Sequence, residues 1–168
     1  MASECLGGVI ATGRAGKNSP TELSVDEVHH ACRLMETARI VNGKPRRFRL
    51  LKRRSRIKIP TSRTLVQCKV GDVVRLKCGS YVQLSEILVL GIGDQVKVVM
   101  AAGCILELES GDYTDTNAQV SSNKHWFLPH LHFDVSVFAI PRCATTDVLL
   151  CKPDKHVCKT EKKLVLLH

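Results

Sequence analysis

The chain has 168 residues and a formal net charge of +9; 44% of its residues are hydrophobic but only 4% are aromatic. This length suits one domain with an appendage, or two very small domains, and the hydrophobic content is that of an ordinary globular protein. Few aromatic residues predict a core of Val, Leu, Ile and Cys, which is typical of β-rich interiors. They argue against an RNA-binding platform that stacks bases on aromatic rings.

The amino-terminal residues carry no sign of export. Met1–Gly8 lack a basic segment followed by an apolar run, and no apolar run in the chain approaches the roughly 18 residues that span a bilayer. We therefore expect an intracellular, soluble protein without a membrane partner. In such a compartment the eight cysteines are expected to be reduced, with Cys68, Cys78 and Cys104 as core residues of Val/Leu-rich strands.

Residues 1–23 show no periodicity and are predicted to be a flexible arm. Within them, Ala11–Ser19 comes close to a phosphate-binding P-loop. That motif needs Ser or Thr after its lysine to ligate Mg²⁺, and here Asn18 follows Lys17. A P-loop also joins a buried parallel strand to a helix, whereas Pro20 follows almost at once. Nucleotide hydrolysis is therefore not expected.

An amphipathic helix is predicted within residues 24–43, spanning about 25–41. Ser24 and Glu27 have the spacing of a capping box, in which the Ser24 hydroxyl accepts from the third helical N–H and Glu27 reaches back to the cap. Apolar residues recur at three- and four-residue steps from Val28 to Ala38. Gly43 is the predicted end of the helix.

Positive charge is concentrated in one basic segment, residues 44–63. This segment has ten Lys or Arg residues and no acid, whereas residues 1–43 carry four against five acids and residues 64–168 carry eleven against eleven. Such a run could release several counterions from a nucleic-acid backbone with little sequence preference, and arginine suits bidentate phosphate contact. The predicted phosphate contacts are Lys44, Arg46, Arg47, Arg49, Lys52, Arg53, Arg54, Arg56 and Lys58.

Beyond the basic segment the hydrophobic period changes to two. Residues 64–78 alternate between an apolar side and a polar side, and Lys69, Arg75 and Lys77 on the polar side could extend the phosphate-binding surface. Further strands are predicted at 81–90, 95–100, 105–109, 132–140, 148–151 and 164–167, with Gly-Asp turns at 71–72, 93–94 and 111–112. The predicted fold is mainly β, a small antiparallel barrel or sandwich over residues 64–168 with a helical amino-terminal element.

The phrase Lys69-Val-Gly-Asp-Val-Val-Arg-Leu-Lys-Cys-Gly79 resembles the opening of KOW-type and bromo-adjacent-homology modules. Both are SH3-like β-barrels that bind nucleic acid or chromatin proteins. The later order of Tyr81–Leu90, then His125-Trp-Phe127, then Val137–Pro141 is also similar to the β-rich tail of some transposon-derived proteins. The resemblance covers residues 64–168 and lacks the aromatic middle strands of bromo-adjacent-homology domains. It implies an SH3-like barrel.

A metal site is the other chemistry that the sequence suggests. His130 and His132 would project from one face of a strand, and Asp134 would continue the row. A hydrolytic site needs further ligands, yet Val135 stands where the metallo-β-lactamase signature has another histidine, and no Cys-x-x-Cys pair occurs. Two solvent-facing histidines are the preferred interpretation, Trp126 and Phe127 are expected to be core anchors, and neither a metal nor another cofactor is expected.

These observations predict a non-enzymatic, nuclear protein that binds DNA or RNA backbones through the basic segment, with no catalytic residues. One alternative is a protein-interaction or chromatin module whose 25–41 helix or barrel docks a partner. In that case Pro45–Arg47 and Lys52–Arg56 serve only as a nuclear-import signal. A second alternative is a small metal-dependent hydrolase built on His130, His132 and Asp134.

Overall fold

The computed structural model describes residues 4–40, 48–109, 116–136, 142–151 and 158–167. Its regular elements are ten strands and two α-helices, preceded by a 3-10 turn at Leu6–Gly8. In chain order they are β1 (Ile10–Thr12), α1 (Val25–Thr37), β2 (Phe48–Arg54), β3 (Arg56–Pro60), β4 (Leu65–Lys69), β5 (Val73–Arg75), β6 (Tyr81–Ile92), β7 (Val96–Glu109), β8 (Thr116–Phe127), α2 (Pro129–His132), β9 (Arg142–Cys151) and β10 (Cys158–Leu167).

The strands form two antiparallel sheets. The three-stranded sheet has the order β1-β3-β4, and the large sheet has the order β2-β6-β7-β8-β10-β9. Strand β5 also belongs to the large sheet, because Val73–Arg75 pair with Tyr81–Gln83 while β2 pairs with the other half of β6. The mainly β prediction is confirmed. The SH3-like barrel is not seen, because neither sheet closes on itself within the described residues.

Strands β6 and β7 are buried on both faces of the large sheet over most of their length, which explains the nearly continuous apolar run of β6. Ile87 and Val89 face the three-stranded sheet and share a core with Val9, Ile57 and Cys68. The alternating residues of β6 and β7 face the other way and pack under α1, and they are Leu88, Leu90, Ile92, Val98, Met100 and Ala102. The two sheets therefore pack as a sandwich, and α1 covers the opposite face of the large sheet.

Helix α1 begins with the predicted capping box. The Ser24 hydroxyl accepts from the Glu27 N–H at 3.2 Å, and the Glu27 carboxylate accepts from the Ser24 N–H at 2.9 Å. The helix ends at Thr37, earlier than predicted, in a Schellman motif: Arg39 has φ +56°, and the N–H groups of Arg39 and Ile40 donate to the carbonyls of Glu36 and Met35. The predicted stop, Gly43, lies outside the described residues.

Residues 4–23 are not a separate arm in the structure, contrary to the sequence prediction. Strand β1 pairs with β3, and Val9 and Ala11 are buried in the core between the sheets. Its three residues are too short to give a periodic signal, and its pairing depends on residues more than forty positions later. The described part of the basic segment is built into both sheets, since β2 belongs to the large sheet and β3 to the three-stranded sheet.

Strand boundaries differ from the predictions where tertiary pairing overrides local preference. Strand β7 runs unbroken through Ala101–Cys104, where two strands were predicted. Strand β8 was not predicted, because its Ser- and Asn-rich sequence has low strand propensity. The predicted strand at 132–140 is wrong at its start, because Pro129–His132 form α2. Among its described residues Phe133 makes a β-bridge with Leu76, and residues 137–140 lie outside the described part of the chain. The Gly-Asp turn at 111–112 lies outside the described residues.

The cysteines divide between the core and the surface. Cys68 is buried and Cys104 half-buried, but Cys78 is exposed, so its prediction as a core residue is wrong. Cys78 follows Leu76 in a turn that is closed by the Gly79 N–H donating to the Leu76 carbonyl. Burial, and then the charge of Asp72, raise the pKa of Cys68 to about 11, whereas hydrogen bonding with Ser80 lowers the pKa of Cys78.

These pKa differences predict an order of thiol reactivity, because the thiolate is the nucleophile. In the folded protein at pH 7.5–8 we expect iodoacetamide to modify Cys78 well before Cys68, which peptide mapping by mass spectrometry would show. Cys78→Ser serves as the control, since it should remove the fast reaction only. Equal rates at Cys78 and Cys68 in the folded protein would contradict the predicted order.

Candidate nucleic-acid interface

The nine predicted phosphate contacts do not form one surface. Lys44, Arg46 and Arg47 lie outside the described residues. Arg49, Lys52, Arg53 and Arg54 belong to β2, at an edge of the large sheet, whereas Arg56 and Lys58 belong to β3 in the three-stranded sheet. The chain changes sheets at Ser55, so neighbouring cations of one charge run point into different surroundings.

Arg53 is a structural residue in this arrangement. Its guanidinium donates to both carboxylate oxygens of Glu27, each at 3.0 Å, and its side chain and that of Glu27 are only 10% and 9% exposed. The same group donates to the carbonyls of Pro20 and Glu22. Arg53 therefore fastens β2 to the start of α1, and its hydrogen-bonding groups are not directed at a phosphate.

Arg54 fastens the segment after β1. Its Nη1 donates to the Gly13 carbonyl at 3.1 Å. Gly13 has φ +76°, and a Cβ at this position would collide with the Ser55 hydroxyl, so both the turn and the close approach require glycine. One bond to a neutral carbonyl leaves the charge of Arg54 uncompensated, unlike that of Arg53.

A cationic surface forms instead on the outer side of the three-stranded sheet. Ile57 and Cys68 are directly opposite each other and buried, so the alternating residues on β3 and β4 face away from the core. In the register Arg56 pairs with Lys69, and Lys58 pairs with Gln67. We call Arg56, Lys58 and Lys69 the cation face.

The strands that carry the cation face contain no acidic side chain that would neutralise its positive charge. Among the residues that the structure describes, none of its three members forms an ion pair, and β1, β3 and β4 contain no acidic residue. Two acids lie nearby. The Asp72 carboxylate accepts from the Lys69 backbone N–H at 2.9 Å but forms no ion pair with the Lys69 side chain, and Glu4 bridges to Ile10 beyond Lys58. Like charges directly across a pair of strands are destabilising. A bound anion would relieve the repulsion between Arg56 and Lys69.

Of Lys69, Arg75 and Lys77, the three residues predicted to extend the phosphate-binding surface, only the first is part of the cation face. Lys69 belongs to the cation face, but Arg75 and Lys77 lie beside the segment that follows α2. The Arg75 Nε is 3.9 Å from Asp134 Oδ2, so its charge is partly offset. The side chains of Arg49 and Lys52 are exposed on β2. A β-bulge between Leu50 and Lys52 changes which face the following cations occupy.

The His-x-His pair is not arranged as predicted. His130 and His132 lie in the single turn of α2 rather than on a strand, and the His132 Nδ1 lies 2.9 Å from the Leu128 backbone nitrogen, which donates to it. Burial, and then the charges of His132 and Lys77, lower the pKa of His130. Asp134 is engaged by the Ser136 N–H at 3.1 Å. No three His, Cys, Asp or Glu residues in the described part of the chain are grouped as metal ligands.

Trp126 is a core anchor, as predicted. It is 8% exposed and packs in the cluster beneath α1, beside His30. Phe127 packs at the border of the other core, against Phe133. In α1 itself, Ala31 and Met35 are buried against the large sheet while Val25 is 86% exposed. Partner docking through the helix stays a prediction.

The P-loop-like stretch has a different structure from a P-loop. Ile10–Thr12 form an antiparallel edge strand, and the next helix of the described chain begins only at Val25. Its Arg14 nevertheless lines a pocket together with Arg53 and Arg54. Sequence reasoning missed Arg14, since nothing in residues 1–23 signals that this segment packs against β2.

Comparisons with protein-family models, with curated proteins and with solved structures found no significant match to this chain. Within the described residues, no helix combines the length and apolar character needed to cross a bilayer.

Proposed function

We propose that this protein is a non-enzymatic, nucleus-associated protein that binds nucleic-acid backbones through the cation face. The observation that carries the proposal is the cross-strand pair of Arg56 and Lys69, with Lys58 beside it and no ion pair to any of them among the described residues. Three cations held on a rigid sheet suit a row of phosphates, and such contacts carry little sequence information.

In the three strands that form this sheet, no neighbour of the cation face is aromatic. Gln67 and Thr12 lie opposite Lys58 and Arg56 in the register, and the remaining outward positions of β1, β3 and β4 hold Ile10, Pro60 and Leu65. Without an aromatic ring, bases have no surface on which to stack. This composition favours contact with the backbone of a duplex over capture of unstacked bases.

The proposal predicts a loss of affinity when the cation face is neutralised. We expect the triple variant Arg56→Gln, Lys58→Gln, Lys69→Gln to bind a labelled random duplex about 100-fold more weakly at low salt. The estimate takes about 1 kcal/mol for each charge-assisted contact. Fluorescence anisotropy with nuclease-treated protein, repeated on a second duplex and on the matching single strand, measures affinity and strand preference.

A matched control removes the same charge elsewhere. Arg33, Arg39 and Lys162 are exposed and lie outside the cation face, so changing these three to Gln should leave the affinity within about two-fold if local contacts dominate. Equal losses in both triple variants would show that only net charge matters. Absence of duplex binding by the wild-type protein would refute the proposed function.

A further inference from the structure

A pocket lies between the segment that follows β1 and the edge of the large sheet. Its volume is about 210 Å³. Its apolar part is formed by Val70, Ile87 and Leu88. Its polar and charged lining consists of Arg14, Ser19, Arg53, Arg54, Ser55, Ser85 and one acidic residue, Glu86. A shallower depression of about 410 Å³ shares the arginines and continues along β2 to Lys52. We call the first of these the arginine pocket.

The charges around the arginine pocket do not balance. Glu86 belongs to the lining, and Glu27 binds the lining residue Arg53. Each of these carboxylates already has a cation, since Glu27 pairs with Arg53 at 3.0 Å and Glu86 pairs with Lys124 at 3.2 Å. Among the described residues, Arg14 and Arg54 have no carboxylate partner. The pocket therefore carries about two uncompensated positive charges, contributed by two guanidinium groups.

The position of Arg54 is fixed by the fold. Its hydrogen bond to the Gly13 carbonyl uses only Nη1, so other N–H groups of the guanidinium stay available. Gly13 and Ser55 are in close contact, and the Ser55 N–H donates to the Thr12 carbonyl. A further turn, with the Ser19 N–H donating to the Gly16 carbonyl at 3.0 Å, shapes the opposite wall. The Arg54 guanidinium and the neighbouring Ser55 are thus fixed in position by the fold itself, without a bound ligand.

From these features we infer that the arginine pocket binds a phosphomonoester group. Planar guanidinium groups donate to phosphate oxygens in a bidentate manner, and the hydroxyls of Ser19 and Ser55 are additional donors. The volume is smaller than the roughly 300–1,000 Å³ of pockets that enclose whole drug-sized ligands. A terminal phosphate fits this size and charge better than an internal phosphodiester does, because a monoester has a second negative charge and an accessible end.

This site is separate from the cation face, and its phosphate has two chemical sources. It can belong to the end of a nucleic-acid strand, in which case the cation face holds the adjoining backbone, or to a free nucleotide. Side chains would hold the phosphate in either case. This differs from a P-loop, in which backbone N–H groups at a helix start do so.

The test compares matched ligands on the full chain. Calorimetry or anisotropy would measure binding of one short single strand bearing a 5′-phosphate, a 3′-phosphate or neither, and of a nucleoside 5′-monophosphate beside its nucleoside. We expect a phosphorylated ligand to bind about ten-fold more tightly than its unphosphorylated counterpart, the effect of one charged hydrogen-bonding group. A preference confined to strands identifies the strand end as the source, and a preference for the monophosphate as well identifies free nucleotides.

The variant Arg14→Gln should abolish the preference for phosphorylated ligands, because it removes one of the two uncompensated guanidinium groups of the pocket. The fold should persist, since Arg14 is exposed and takes no part in the core. Arg33→Gln, an exposed arginine on α1 outside the pocket, should retain the preference. The monophosphate comparison does not depend on duplex binding, so it can succeed even where the proposed function of the cation face fails. Equal binding of all phosphorylated and unphosphorylated ligands, or a preference unchanged in Arg14→Gln, would overturn the inference.

Discussion

Replacement of Arg53 by methionine is expected to lower the free energy of unfolding by about 3–5 kcal/mol, the usual cost of removing one partner from a buried ion pair. The Glu27 carboxylate would stay buried without a cation, since the side chains of both residues are at most a tenth exposed. The substitution also removes the hydrogen bonds that Arg53 donates to the carbonyls of Pro20 and Glu22, and these bonds hold the segment before α1 against β2.

Urea unfolding followed by fluorescence of Trp126, the chain's only tryptophan, measures this loss. Lys52→Met removes an exposed cation from the same strand and should change the free energy of unfolding by less than about 0.5 kcal/mol. The double variant Arg53→Met, Glu27→Met should recover part of the loss, because no unpaired charge remains. A single variant as stable as wild type would show that the pair contributes nothing.

The same pair gives a pH dependence. Burial raises the pKa of Glu27, but hydrogen bonds from Arg53 and from the Ser24 N–H outweigh it, so the pKa lies below its ordinary value of 4.5. A carboxyl with a lowered folded-state pKa stabilises the protein above its unfolded-state pKa, and this contribution is lost as pH falls through the folded-state value. Arg53→Met should therefore flatten the decline in stability on the acid side of pH 4.5.

A substitution at Gly103 is expected to have the second large effect. Gly103 lies in β7 beside the β-bulges at Leu84/Glu86 and Cys104/Leu106, and a Cβ there would collide with the Val82 side chain and the Gln83 backbone. Gly103→Ala should lower the free energy of unfolding by about 3 kcal/mol, the upper part of the range for overpacking. The reason is that the Gln83 backbone, fixed by strand pairing, cannot move away by a change of rotamer as a side chain can.

The matched control is Gly16→Ala. Gly16 has ordinary φ, and its nearest neighbour across space is the Ser19 hydroxyl at 4.0 Å. Adding a methyl group there should be neutral or slightly stabilising, because alanine restricts the unfolded chain. If Gly103→Ala proved as stable as Gly16→Ala, then β6 and β7 would not approach as closely as the structure places them.

Local signals were sufficient to predict the start of α1 and the turns at Gly71 and Gly93. The Ser24 and Glu27 capping box depends on residues three positions apart, and the Gly71 and Gly93 turns depend on positive φ, so both are visible in the sequence. Strand β8 was not visible, because Thr116–Phe127 owe their extended form to pairing with β7 and β10 rather than to their own propensity.

The candidate site was predicted as a charge run but not as a surface. The amino-acid sequence shows that ten cations are concentrated in residues 44–63. It does not reveal that Arg53 pairs with Glu27, that Arg56 pairs with Lys69 from a later strand, or that Arg14 lies near Arg54. Those contacts depend on the change of sheet at Ser55 and on the bulge in β2, which only long-range pairing determines.

The salt dependence of duplex binding tests the cation face most directly. The association constant K falls as salt concentration rises, and each phosphate that the protein neutralises makes the slope of log K against log salt concentration steeper by about 0.9. Removing Arg56, Lys58 and Lys69 together should therefore make the slope shallower by about 2.7, whereas the Arg33, Arg39 and Lys162 variant should keep the wild-type slope. A slope unchanged in the cation-face variant would mean that these three residues do not contact phosphates, and the proposed function would be wrong.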